Sequence, residues 1–210
     1  MITFTLVAIL GVLLVIVLRE LFKKQASEPP RALPKEDLAN LRVTDARVGD
    51  TLSVTGAGDE FSDLDFTVDR RDRWQAGERQ WVELSGTYKE RRVWLRVRQD
   101  DELEVSAVVQ PKKLTLGDLG LTEEDLAEID DRQNTEDSFE YDGKVWYYRL
   151  SRESTLYRDG HAPPQGSYYW EFQEEGGGRL LFIRKAEGEP FTATVAVRLN
   201  PADVTVYRAG

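Results

Sequence analysis

Cysteine is absent from the chain, and histidine occurs once, at His161. Without cysteine there is no disulfide framework, no thiolate metal site and no lipobox residue to acylate, which fits a reducing compartment. One histidine cannot build a histidine-based metal centre. His161 sits in the stretch RDGHAPPQG, a loop by composition with no nucleophile beside it in sequence, so it reads as a loop residue rather than a general base. A phosphate-cradling loop is missing as well: Gly56-Ala57-Gly58 runs into acidic residues instead of a helix start and a lysine. Positive charge is also short. The net charge of −10 disfavours nucleic acid and anionic lipid headgroups as partners of the domain and reads first as a well-solvated surface.

The N-terminus does carry a long hydrophobic run. Ile2 to Leu18 contains no charge; as a helix it spans about 25 Å, and about 31 Å if continued through Phe22, enough to cross a hydrocarbon core. No basic residue precedes it, whereas Arg19, Lys23, Lys24, Arg31 and Lys35 follow. A secretory signal peptide has the opposite charge order. The positive-inside rule therefore predicts a single-pass anchor over residues 1–24, with its N-terminus outside and the rest of the chain in the cytoplasm, as in a bacterial inner membrane. The alternative is an uncleaved anchor facing the other way. Arg19, Lys23 and Lys24 are expected at the headgroup level. Residues 25–36, QASEPPRALPKE, read as an extended tether because their prolines resist helix continuation.

From residue 37 to 210 the chain is expected to be an acidic, mainly β domain. Short apolar-alternating segments recur between turn residues: TLSV from 51, FTV from 66, WVEL from 81, VWLRV from 93, VWYYRL from 145, YYWEF from 168, LLFI from 180 and TATVAV from 192. That pattern predicts antiparallel strands. One helix is expected over about residues 122–131, with Thr122 as its cap, Asp125 at the third helical position, and Leu126 and Ile129 facing inward. Laying Trp81-Val82-Glu83-Leu84 over Tyr169-Trp170-Glu171-Phe172 also lays Val93-Trp94-Leu95-Arg96 over Leu181-Phe182-Ile183-Arg184, without a gap. The expected fold class is thus an antiparallel β domain of two similar lobes, an internal duplication. The lobes cover about 46–110 and 138–207 and are joined by a helical connector over about 111–137.

Each copy implies a hairpin. A Gly177-Gly178 turn pairs Phe172 with Ile183 and Glu171 with Arg184. The matching register in the first copy pairs Leu84 with Leu95 and Glu83 with Arg96. Its turn would be Lys89-Glu90, poor turn chemistry that suggests a longer loop. Val82, Leu84, Val93 and Leu95 then line a core face. Glu83 and Arg96 occupy the opposite face as an ion pair worth about 0.2–1 kcal/mol.

Candidate chemistry is sparse. Glu83 and Glu171 are a matched carboxylate pair of the kind a glycosidase uses, but an arginine opposite each would lower its pKa and spoil a general acid. Asp59, Glu60, Asp63 and Asp65 offer oxygen ligands without the ligand ladder or closing glutamate of a calcium loop. The aromatics Trp81, Trp94, Trp146, Tyr147, Tyr148, Tyr168, Tyr169 and Trp170 belong mostly to strand cores, yet some alternate onto both faces and leave room for a peptide or small-ligand groove. Trp81, Glu83, Trp94, Tyr169, Trp170 and Glu171 are therefore the candidate ligand or partner surface. No catalytic residue, cofactor or metal is assigned.

Val48-Gly49-Asp50 before a strand, Trp81-Val82-Glu83-Leu84 followed by Val93-Trp94-Leu95, and Tyr169-Trp170-Glu171-Phe172 followed by Leu180-Leu181-Phe182-Ile183 resemble the bacterial domain of unknown function 4178 family over roughly residues 46–207. Leu84 departs from the tyrosine expected after Glu83. The resemblance implies no activity and no catalytic residues. It implies genomic company: small multi-pass membrane proteins, spermidine-synthase-like proteins and phage-shock-type membrane-stress proteins. The leading expectation is a membrane-anchored cytoplasmic adaptor that binds protein partners. The alternatives are a sensor or carrier of a small organic cation such as a polyamine and, last, a hydrolase using Glu83 or Glu171.

Overall fold

The computed structural model describes residues 41–109, 112–158 and 163–209. The expected anchor and tether, with Arg19, Lys23 and Lys24, lie outside the described residues, as does His161. Eleven strands are described, of which all but β5, β6 and β11 lie on segments read from the sequence: β1 Thr51–Val54, β2 Leu64–Ala76, β3 Arg79–Tyr88, β4 Arg91–Gln99, β5 Leu103–Val108, β6 Ser138–Tyr141, β7 Lys144–Tyr157, β8 Gln165–Glu174, β9 Arg179–Ala186, β10 Thr192–Leu199 and β11 Val204–Tyr207. Two helices separate β5 from β6: α1 Leu116–Leu119 and α2 Glu123–Arg132. One helix was expected there. Both begin with the same reciprocal cap, Thr115 with Asp118 and Thr122 with Asp125, which satisfies amide donors that a helix start otherwise leaves open.

Two long strands decide the architecture. β2 is bulged between Val68 and Arg70, and β7 between Tyr148 and Leu150. An extra residue bends a strand and increases its twist, so each long strand serves two neighbours in succession. The first part of β2 pairs with β1 and its end pairs with β7, at Trp74 opposite Leu156. The first part of β7 pairs with β6. The β2–β7 pairing closes the ring β2-β3-β4-β5-β10-β9-β8-β7 into an eight-stranded antiparallel barrel. The strands of both expected lobes share this one barrel.

Closure gives the barrel strands two buried faces. On β3, β4 and β5 the outward residues Leu84, Val93, Leu95, Val97, Val105 and Ala107 pack under Leu52, Val54, Phe66, Val68, Val204 and Val206 of β1, β2 and β11. On β8 and β9 the outward residues Trp170, Phe172, Leu181 and Ile183 pack under Trp146 and Tyr148 of β7 and under Leu116, Leu119, Leu126 and Ile129 of the helices. The alternate residues, Trp81, Glu83, Trp94, Arg96, Tyr169, Glu171, Phe182 and Arg184, point the other way, into the lumen.

The first hairpin keeps the expected register, with Leu84 opposite Leu95 and Glu83 opposite Arg96. Its turn is not the longer loop expected. Tyr88 pairs directly with Arg91, and Lys89 and Glu90 take φ of +43° and +66°, the left-handed conformation that a two-residue hairpin turn requires. The second hairpin is shifted: Phe172 pairs with Leu181 and Glu171 with Phe182. Gly176 and Gly177, rather than Gly177 and Gly178, carry the left-handed conformation, at φ +87° and +79°. The resulting wider turn moves the register by two residues, which leaves every side chain on its expected face.

Candidate functional site: the barrel lumen and its open mouth

The lumen is lined by charge. Glu171 on β8 is fully buried. It accepts from Arg96 Nη2 at 2.9 Å and Arg98 Nη1 at 3.3 Å, and pairs with Arg149 Nη1 at 2.8 Å. Glu104 on β5 pairs with Arg98 at 3.0 Å and with Arg198 at 2.8 Å. Glu83 on β3 is held by Arg184 on β9. β3 and β9 lie four places apart in the ring of eight, as do β4 and β8. The Glu83–Arg184 and Glu171–Arg96 pairs therefore span the lumen.

This corrects the expected pairing. Glu83 faces Arg96 along the ladder and Glu171 was expected to face Arg184, but the carboxylates exchange partners across the barrel. A closed lumen brings opposite strands closer for long side chains than a hairpin ladder viewed alone suggests. Arg96 also lies between two rings, its Cζ 4.2 Å from the Trp81 ring centre and 4.2 Å from that of Phe182. Arg184 covers Trp74 at 4.3 Å.

These contacts decide the chemistry. Burial pushes the Glu83 carboxyl up, but Arg184, with help from Arg96, outweighs it and holds the pKa below the usual carboxylate range. Burial raises Glu171 too, and Arg96, Arg98 and Arg149 together bring it down. Both carboxylates stay ionised and acceptor-only, which unsuits either for general acid work. Burial lowers the Arg96 pKa, and Glu171 opposes that shift.

One mouth of the barrel opens as a cleft of ≈ 480 Å³. Trp74 and Trp94 form its apolar walls. Arg70, Arg92, Lys113, Arg158 and Arg184 outnumber Asp72, Glu83 and Glu189 around it. Arg92 is fixed by a fork to Asp69, with both N–H···O distances 2.7 Å, and by Ser85 at 2.8 Å. Lys113 and Arg158 are exposed.

Of the six residues proposed from the sequence, Trp81, Glu83, Trp94, Tyr169 and Glu171 come together in the lumen. Trp170 points outward into the helix-covered core. Glu83 and Trp94 reach the cleft, whereas Trp81, Tyr169 and Glu171 are enclosed. The sequence reading missed Arg98, Glu104, Arg149 and Arg198. A signal existed for one of them, since Arg98 continues the inward face begun by Trp94 and Arg96.

The acidic loop is internally engaged. Asp59 pairs with Arg91 and Lys89, and Asp63 accepts from the Gly56 N–H at 3.0 Å. Among the described residues no group of three or more histidine, aspartate or glutamate side chains is disposed to hold a metal ion. A second polar group ties α2 to the barrel: Asp130 accepts from Ser151 and from Tyr168 OH at 2.7 Å, and Tyr148 OH lies 2.8 Å from Ser151 Oγ. Burial, then the Asp130 contact, pushes the Tyr168 phenol up to about 12. Ser151 is buried, which suits a latch and not a nucleophile. Among the described residues no helix is long and apolar enough to cross a membrane. No family model matches the chain, and no curated protein or solved structure shows significant similarity to it.

Proposed function

We propose that the domain is a non-enzymatic adaptor, held at the cytoplasmic face of a bacterial inner membrane by the apolar run Ile2–Leu18, and that it engages an acidic partner surface at the open barrel mouth. The observation that carries this reading is the excess of basic side chains around the cleft in a chain whose net charge is −10. A local field opposed to the overall charge selects and orients a partner of the matching sign. The anchor orientation rests on Arg19, Lys23 and Lys24 following the apolar run. The likeness of the segments around Trp81 and Tyr169 supports descent from a duplicated unit, and the resemblance to the domain of unknown function 4178 family rests on the same short segments.

The hydrolase reading draws no support from Glu83 and Glu171, because each is held ionised by arginine. The organic-cation reading needs carboxylates and aromatic faces that a guest can reach. In the lumen, Arg96 and Arg184 already engage them.

The test is recovery of partners by the full-length tagged protein from native membranes. Wild type is compared with the exposed charge reversals Lys113→Glu and Arg158→Glu. The adaptor reading expects a discrete, stoichiometric partner with an acidic contact surface, weakened at least about tenfold by the paired reversals. A partner bound equally by both forms would move recognition away from the mouth. Turnover of a metabolite by the purified protein would overturn the adaptor reading itself.

A further inference from the structure

The lumen holds more hydrogen-bond donors than acceptors. Arg96 uses Nη2 on Glu171, but its Nε and Nη1 are buried with no acceptor among the described residues. The same holds for Trp81 Nε1 and for the Tyr169 hydroxyl. All three residues are more than nine-tenths buried. They form one group: the Arg96 Cζ lies 4.2 Å from the Trp81 ring centre and 5.9 Å from that of Tyr169, and the two ring centres are 5.1 Å apart. A buried donor without an acceptor is costly, and guanidinium and indole N–H groups cannot reverse roles to accept.

The charge balance points the same way. Arg96, Arg98, Arg149, Arg184 and Arg198 meet the carboxylates Glu83, Glu104 and Glu171, with Asp100 joining Arg98 at the rim. Asp72, on the lumen face opposite Glu83, pairs with Arg70, but around Glu171 three guanidinium groups, those of Arg96, Arg98 and Arg149, share one carboxylate. A second negative charge beside this local cluster is favourable, because under-compensated ions in a low-dielectric interior are costly.

The geometry points to a small-anion site in the barrel lumen, formed by Arg96, Trp81 and Tyr169. Arg96 and the two rings are packed in contact, at 4–6 Å between centres, so the ligand class that suits these donors is a compact ion such as a halide. Such an ion accepts from several donors at once and adds a negative charge beside the three guanidinium groups that share Glu171. A water molecule in the same place would accept two hydrogen bonds but bring two donors of its own and no charge. The site is distinct from the partner surface at the mouth and does not depend on the adaptor reading.

The experiment uses the full-length protein in detergent at fixed ionic strength, with chloride or bromide exchanged for gluconate, which is too large for the lumen. The site predicts a saturable rise in the thermal midpoint with halide that gluconate does not give. Crystals grown in bromide should show an anomalous peak within hydrogen-bonding range of Arg96 Nε or Nη1. Tyr169→Phe keeps the ring and removes one donor, and should weaken the apparent halide affinity at least about threefold; Trp81→Phe should act similarly. Equal midpoints in halide and gluconate, or ordered water without a bromide peak beside Arg96, would overturn the proposal. So would a halide response unchanged in both variants. Because these variants keep their aromatic rings, loss of the fold is not expected to obscure the result.

Discussion

Glu171 is where the lumen network is most exposed to a single change. Replacing it with alanine leaves Arg96, Arg98 and Arg149 facing one another without their shared carboxylate. Removing one partner of a buried ion group destabilises by about 3–5 kcal/mol, so Glu171→Ala should lower the unfolding free energy read from urea denaturation by about that much. pH acts on the same groups. Glu83 and Glu171 have folded-state pKa values below the ordinary carboxylate value. The unfolded chain therefore binds more protons in acid, and stability falls as pH falls. The contribution is complete above the unfolded value of about 4.3 and is lost progressively below it, through the folded values. A denaturation series from neutral pH down into acid should show this loss, and the loss should be smaller in Glu83→Gln. At this scale the sequence was informative but incomplete. Alternation of apolar and polar residues put Glu83, Arg96, Glu171 and Arg184 on the faces they occupy. Their partners were not legible, because a partner across a lumen depends on which strands close the ring, and no local pattern encodes that.

Elements carry their own tests. β2 and β3 approach so closely that a Cβ on Gly86 would stand 2.2 Å from the Thr67 carbonyl oxygen and 2.5 Å from the Phe66 ring. Gly86→Ala must push the bulged segment of β2 away from its core, at a cost of about 1–3 kcal/mol, read by thermal or urea unfolding. The loop before β2 offers the opposite change. Phe61 is 92% exposed and sits at φ +63° beside Glu60 at φ +54°. A bulky residue in that region is strained by about 1–2 kcal/mol, and among the described residues its ring packs against nothing that offsets this. Phe61→Gly should raise stability by about 0.5–1 kcal/mol after the entropy glycine adds to the unfolded chain. The cap of α2 could be read from Thr122 and Asp125, because a capping box is a local device. The turn at Lys89-Glu90 could not, since neither residue favours positive φ. Contacts elsewhere hold that turn: Asp59 engages Lys89 and Arg91, and both cations lie over the Tyr88 ring.

At the scale of the whole molecule, the barrel joins what the sequence divides. The two runs of strands read as two similar lobes because each carries its own apolar stripe and its own hairpin. The β2–β7 and β5–β10 pairings join them, and the ion pairs cross between them. The domain should therefore unfold in a single cooperative transition by fluorescence and far-UV dichroism alike; two separated transitions would indicate independent lobes. The most direct measurement is a double-mutant cycle on Glu83 and Arg184, set beside one on Glu83 and Arg96. If the barrel closes and the carboxylates pair across it, Glu83→Gln and Arg184→Gln should couple by about 1–3 kcal/mol, well above the coupling of Glu83→Gln with Arg96→Gln. A dominant Glu83–Arg96 coupling, with Glu83 and Arg184 simply additive, would contradict the closed lumen and return the charges to their own hairpins.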